Sequence, residues 1–460
     1  MSTPSPSVAS AVGTRPLPLA VRRFLHTEAA GGVALVVAAT VALVWANSPW
    51  DASYQDLWHA DVTLRVGPIG VDNDLRHIVN DGLMALFFLV VGLEIKRELV
   101  AGDLREPRTA ALPAIAAVGG MVVPAGLYLA VNVGGAGASG WGIPMATDIA
   151  FAVGVLALLG SRASPGLKLF LLTLAVVDDI GAIAVIAAFY TDELDVAALA
   201  IAVACVGAAA ACLRLRVWAP TVYVALGVVC WLATYESGVH ATLAGVAFGL
   251  LAPARPRAPA EVARDWAEDL SDEPSAREMQ SLTAVAKETV SVAERVQHQL
   301  HPLTSFVVVP IFALANAGVR VTGDALSAPD AGRVAAGVAL GLVVGKAVGV
   351  TAASALAVRL RLGALPPDVT WPQVLGVAMV AGVGFTVSLF VAGLAFDDPN
   401  LEDGAKLAVL VASVVASLAG AAVLAAAARG GRTPGRATGG RRRGSRPGAR
   451  TPGPERTASR

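Results

Sequence analysis

Charge is what this sequence has least of. Only 15% of its 460 residues are Asp, Glu, Lys or Arg, while 55% are hydrophobic and the mean hydropathy is +0.64. That profile excludes a soluble globular protein and reads as a polytopic membrane protein. Cysteine is scarce as well. Cys205, Cys212 and Cys230 lie in apolar segments without metal-ligand spacing or a secreted disulfide framework, so they read as small core residues. A cleavable signal peptide is also missing, because the first 20 residues are Ser/Pro-rich and the first apolar run is long enough to span by itself. No cofactor is expected.

What is present is a succession of apolar runs. With about 20 residues per crossing, spans fall near 29–46, 77–95, 110–131, 141–160, 168–190, 196–213, 218–235, 238–253, 302–319, 333–357, 371–395 and 405–428. The fold class is therefore all-α polytopic membrane protein with about twelve transmembrane helices. Cytoplasmic loops carry the excess of Lys and Arg. With the N-terminus inside, the short inner loops hold ten: Lys96, Arg97, Arg105, Arg108, Arg162, Lys168, Arg214, Arg216, Arg359 and Arg361. The outer loops hold five, Arg65, Arg76, Arg320, Arg333 and Lys406, beside acidic stretches at Asp192–Asp195 and Asp397-Asp398. This asymmetry predicts both termini in the cytoplasm.

The domain reading is a disordered segment 1–20, one transmembrane domain 21–428, and a disordered basic tail 429–460. The tail carries ten Arg and one Glu, and reads as a positive-inside anchor rather than a nucleic-acid or lipid-specific site. Residues 254–301 form a charged, Ala-rich cytoplasmic segment with helical spacing, suited to the membrane surface. On the outer side, residues 61–74, DVTLRVGPIGVDND, alternate apolar and polar around a Gly-Pro-Ile-Gly turn and predict a β-hairpin. Its exposed edge could pair with a second copy to give a homodimer, or it could simply cap its own protomer.

The stretch LAVVDDIGAI puts Asp178 and Asp179 in mid-span. Each ionised Asp there costs roughly 2.5–3.5 kcal/mol, so the pair must be compensated or must hold a proton. Other polar residues reach the same depth. Asp148 follows Gly142 and Pro144 in GIPMATD, Lys346 stands alone in GLVVGKAVGV, and GVGFTVS breaks a second helix at Gly382 and Gly384. Span two, NDGLMALFFLVVGLEIKREL, has Asp81 at its outer end and Glu94, Arg97 and Glu98 at its inner end. A broken helix exposes opposite half-charges at its two ends, and Asp148 and Lys346 could serve only to neutralise them. Adjacent helical residues point about 100° apart. One Asp of the pair can thus face a cavity while the other meets Lys346, the one cation buried deeply enough. Chain order does not say which. Oxygen ligands suit a hard ion such as Na+ or Li+.

Together, NDGLMALFFLVVGLEIKREL, ATDIAFAVGVLALLGSR, LAVVDDIGAI, ESGVHATLAG, LHPLTSFVVVPIFALANAGV, GKAVGV and GVGFTVSLF resemble the NhaA family of bacterial Na+/H+ antiporters, over about residues 20–428. The resemblance implies two inverted three-helix repeats, spans 3–5 and 10–12, each with an interrupted helix (spans 4 and 11). It implies Asp179 as principal cation ligand and proton carrier, with Asp178 beside it as second Na+ ligand, pairing with Lys346 when no ion is bound. Asp148 and Thr147 would support the helix crossing. Glu94, Arg97, Glu98, His240 and His298 would take part in pH sensing. Where the family carries Glu-His before LHP, this chain has Gln297-His298, which puts its pH profile in doubt unless Glu294 substitutes.

The implied activity is export of Na+ or Li+ against H+, electrogenic and pH-regulated, in the inner membrane of a bacterium. That is a transporter rather than an enzyme, with lipid its other partner. A K+/H+ antiporter or a Na+-coupled symporter keeps the same acidic chemistry. An intramembrane aspartyl protease would need Gly-x-Gly-Asp, and Phe385 stands where that acid belongs. A lone acidic site with Lys346 also suits occlusion better than a channel.

Overall fold

The computed structural model describes residues 28–66, 69–159, 164–191, 194–269, 275–321 and 329–430. The N-terminal segment 1–20, tail residues 431–460, Gly67-Pro68, Arg162 and Asp192-Glu193 lie outside them. The described chain is mostly helical. Helix α1 (Glu28–Ala46) turns by 116° into the short α2 (Asp51–Trp58). Strands β1 (Asp61–Val66) and β2 (Ile69–Asp74) then pair antiparallel, with Asp61 opposite Asp74 and Val66 opposite Ile69.

Next come α3 (Leu75–Val100), α4 (Pro107–Asn132), a tight 3₁₀ segment (Ala136–Met145), α5 (Ile149–Leu158), α6 (Pro165–Phe189) and α7 (Val196–Arg214). They are followed by α8 (Pro220–Glu236), α9 (Thr242–Leu251), α10 (Ala260–Glu268) and α11 (Ala276–Glu288). The last group is α12 (Val292–Asn316), α13 (Asp330–Arg359), α14 (Trp371–Val380), α15 (Phe385–Ala395) and α16 (Pro399–Arg429).

Among the described residues, seven helices are long and apolar enough to cross a membrane: α3, α4, α6, α7, α12, α13 and α16. The number rises to ten if each bent pair counts as one span: α1 with α2, the 3₁₀ segment with α5, and α14 with α15. The other two apolar runs fold as shorter helices, α8 with 17 residues and α9 with 10.

Lipid tails are as apolar as leucine, so helices associate in a bilayer by close packing at small residues. Two such seams organise the bundle. Gly245 and Gly249 of α9 lie on α3, where a Cβ at Gly249 would come within 2.6 Å of the Leu89 carbonyl oxygen. Gly345 and Gly349 of α13 lie on α4, and a Cβ at Gly119 would stand 2.5 Å from the Gly349 carbonyl oxygen. The second seam matters most, because Lys346 sits between its two glycines.

Among its described residues, the charged segment 254–301 contains helices α10 and α11 and the start of α12. Arg257 holds it against the membrane domain, bonding Glu288 at 3.1 Å and lying 3.4 Å over the ring of Trp218.

Candidate ion-binding site

The site grows from two helix breaks. The chain leaves helical geometry between Met145 and Ile149, with a bend of 46°, and again between Val380 and Phe385, with a bend of 47°. The breaks touch through backbone, the Asp148 N–H donating to the Val383 carbonyl at 2.7 Å. Asp148 is extended and caps two helices at once. Its Oδ1 accepts from the Phe151 N–H of α5 at 3.0 Å, and its Oδ2 accepts from the N–H and hydroxyl of Thr386 in α15 at 3.2 and 2.7 Å. Two positive helix ends thus meet one carboxylate. At the opposite polarity, the Thr147 hydroxyl lies 2.8 Å from the Ala381 carbonyl oxygen, at the end of α14.

Thr147 also lies 2.5 Å from Oδ2 of Asp178, and that oxygen forms an ion pair with Lys346. Asp178 and Lys346 are both fully buried. Lys346 therefore meets Asp178 of the pair, and the carbonyl end of the second break is met by Thr147 instead. Gly120 of α4 lets α13 approach beside the lysine, since a Cβ there would come within 2.7 Å of Val350 Cγ2.

Asp179 projects elsewhere from α6. Among the described residues no side chain or backbone group donates a hydrogen bond to it, and it has no ion-pair partner. The charges acting on it are those of Asp178, Glu94, Asp148 and Lys346. Oδ1 of Asp178 is likewise buried with no hydrogen-bond partner among the described residues. Four carboxylates, Asp179 included, thus share one ammonium, a deficit of positive charge in a low-dielectric site that a small cation or protons can make good.

The residues assigned to pH sensing do not form one group. Glu94, Arg97 and Glu98 lie at one end of α3, with Arg97 bonded to Glu98 at 3.0 Å. His298 is exposed on α12, near that same end, where Leu93 packs with Ala293. His240 precedes α9, whose first turn meets α3 at Ala85, so it sits at the opposite end. Glu294 is exposed in the first turn of α12.

Sequence reasoning missed one cluster altogether. Lys406 was assigned above to an outer loop, but it is only 2% exposed. Its ammonium bonds Glu402 at 2.5 Å and Asn316 Oδ1 at 3.4 Å, and the Asn316 amide donates to Asn80 Oδ1 at 2.7 Å. The available signal was a lysine beside an uninterrupted apolar run, with Asn80 and Asn316 at the ends of two others.

Broken helices meeting beside a buried carboxylate pair and a lysine define an ion-coupled secondary transporter. Comparison with known proteins carries this further. Residues 22–424 match the family model described as Na+/H+ antiporter 1. The chain is 50% identical over 406 residues to Na+/H+ antiporter NhaA 3 of Frankia alni, covering 88% of each protein. It is 48% identical over 415 residues to Na+/H+ antiporter NhaA of Rhodopirellula baltica, covering 87% of this chain and 92% of that protein. Against Na+/H+ antiporter NhaA 2 of Sorangium cellulosum the identity is 46% over 415 residues, with coverage of 88% and 89%. The chain belongs to the NhaA family of Na+/H+ antiporters.

Proposed function

We infer that this protein exchanges Na+ for H+ across a membrane, with Asp179 as the group that proton and cation occupy in turn. The observation that carries this reading is the unequal treatment of two neighbouring carboxylates. Asp178 is tied to Lys346 and Thr147, whereas Asp179 has no fixed donor. A carboxylate with a permanent lysine cannot exchange its partner cheaply, but one without can take a proton or a hard cation. When Na+ arrives, Asp178 joins as second ligand through its unpartnered oxygen and loosens its hold on Lys346.

Twelve spans with both termini cytoplasmic are the topology we propose, with Glu94 on the inner side and Asp81 on the outer. In the two inverted repeats, α4, the first broken helix and α6 correspond to α13, the second broken helix and α16. Their packing supports this, since α4 lies on α13 and the 3₁₀ segment lies on α15. Li+ shares the site. Exchange is electrogenic, in the inner membrane of a bacterium, and Glu94, Arg97, Glu98 and His298 set its pH dependence from the inner end. His240 acts separately from the outer end. The deciding experiment is Na+-dependent proton movement in everted vesicles. Asp179→Asn should abolish it, whereas substantial antiport in that variant would overturn the assignment. A comparison of Na+, Li+ and K+ in the same assay separates this reading from K+/H+ exchange.

A further inference from the structure

The Lys406 cluster has the donor set of an alkali-cation site. A monovalent ammonium is held among a carboxylate oxygen of Glu402 and the amide oxygen of Asn316, with Asn80 Oδ1 bonded to the Asn316 amide alongside. These are hard oxygen ligands of the kind that bind Na+. Burying a lysine near the end of a membrane helix is costly, and its long stem could have carried the charge to the surface instead.

The position of the cluster is set by three helices. Lys406 stands seven residues before Ser413, whose hydroxyl accepts from the Phe385 N–H at the second break, so it lies about 10 Å along α16 from the helix crossing. Asn80 stands eight residues before Phe88 on α3, about 12 Å away. Asn316 is one turn beyond Phe312 on α12, bonding its carbonyl oxygen at 3.0 Å. Phe88, Phe312 and Phe390 pack together with ring centroids 5.6 and 6.4 Å apart, all buried. Deeper along α3, the turn at Val91 and Ile95 packs on α6 around Val176 and Ile180, level with Asp179. The order from one side is therefore the Lys406 cluster, an aromatic layer, and the Asp pair. Arg97 and Glu98, further along α3, lie on the opposite side.

We propose that Asn80, Asn316 and Glu402 form a second, transient Na+ subsite on the outer side of the aromatic layer, and that Lys406 occupies it as a tethered cation while that side is closed. Opening the layer withdraws the lysine and exposes the oxygens to an ion leaving Asp179. When the layer closes, the lysine displaces whatever ion remains. This rests on the antiport reading above and adds to it a separate place for the ion.

The test compares apparent KM for Na+ at each face, using the full-length protein in right-side-out and everted vesicles. Lys406→Met keeps the side-chain bulk and removes the tethered competitor. It should lower KM at the outer face several-fold while inner-face KM stays within about twofold. Asn316→Ala removes an oxygen ligand and should raise outer-face KM several-fold, again with little change inside. The second variant decides the matter if the first does not fold. Outer-face KM unchanged, or changed no more than inner-face KM, would overturn the proposal and leave the cluster a helix-packing device. Absence of Na+-dependent antiport in the unaltered protein would instead refute the antiport reading itself.

Discussion

A single residue sets the terms at Asp178. Its charge and that of Lys346 are both removed from water, and such a pair depends on each partner being present. Replacing Lys346 by Met should destabilise the protein by about 3–5 kcal/mol, because it leaves an uncompensated buried carboxylate. The double variant Asp178→Asn with Lys346→Met should recover most of that loss. Thermal unfolding in detergent measures both, and equal losses in single and double variants would mean that the pair is not coupled. Much of this site was legible in the chain. Two adjacent acids in mid-span demanded compensation, and one buried lysine could supply it. Which acid received it was not legible, since that follows from how α6 is rotated in the bundle, and rotation is set by packing between separate helices, as at Gly181 of α6, where a Cβ would collide with Met121 Sδ on α4.

At the scale of an element, helix ends matter more than helix interiors. The start of α6 is capped twice, by Ser164 from its own segment and by Asp368 from the α13–α14 connection, whose carboxylate accepts from the Gly166 N–H at 2.9 Å. That hydrogen bond holds the Asp368 carboxyl below its ordinary 3.8. A group depressed in the folded state adds stability above its unfolded value, and the contribution disappears as pH falls through the folded one. The melting temperature should therefore drop on acidification below about 4, and Asp368→Asn should flatten that part of the profile. A variant profile parallel to the original would exclude this cap as the cause. The breaks at Gly142–Pro144 and Gly382–Gly384 could be anticipated, because glycine and proline interrupt helices locally. That one carboxylate, Asp148, serves both could not, since Thr386 is 238 residues away. The same distance problem hid the Lys406 cluster, whose members come from α3, α12 and α16.

For the whole molecule, the hairpin is the part built from strands. Its base is anchored by Asn73, which donates to the Tyr235 hydroxyl at 3.0 Å, and its two-stranded sheet leaves both outer edges unpaired among the described residues. Exposed edges of this kind recruit further strands. We propose that two copies join there. Removing residues 62–73 should then convert a dimer to a monomer by light scattering in detergent, with antiport retained. A dimer that survives the deletion would place the contact elsewhere. Among the described residues a helix lies in each apolar run that hydropathy marks, but helix length was not legible: α8 begins two residues into its run, at Pro220, and α9 four residues into its run, after the turn at Ser237-Gly238.

The double cap at Asp148 has a mechanical consequence. One side chain terminates helices that come from different halves of the chain, and a backbone bond from Asp148 to Val383 ties the same two places together. Pulling the halves apart would strip a helix end of its acceptor in an apolar medium that offers no replacement. The two broken helices are therefore pinned like the blades of scissors at their rivet. Motion that admits ions from alternate sides must carry this crossed pair as a single body past its neighbours.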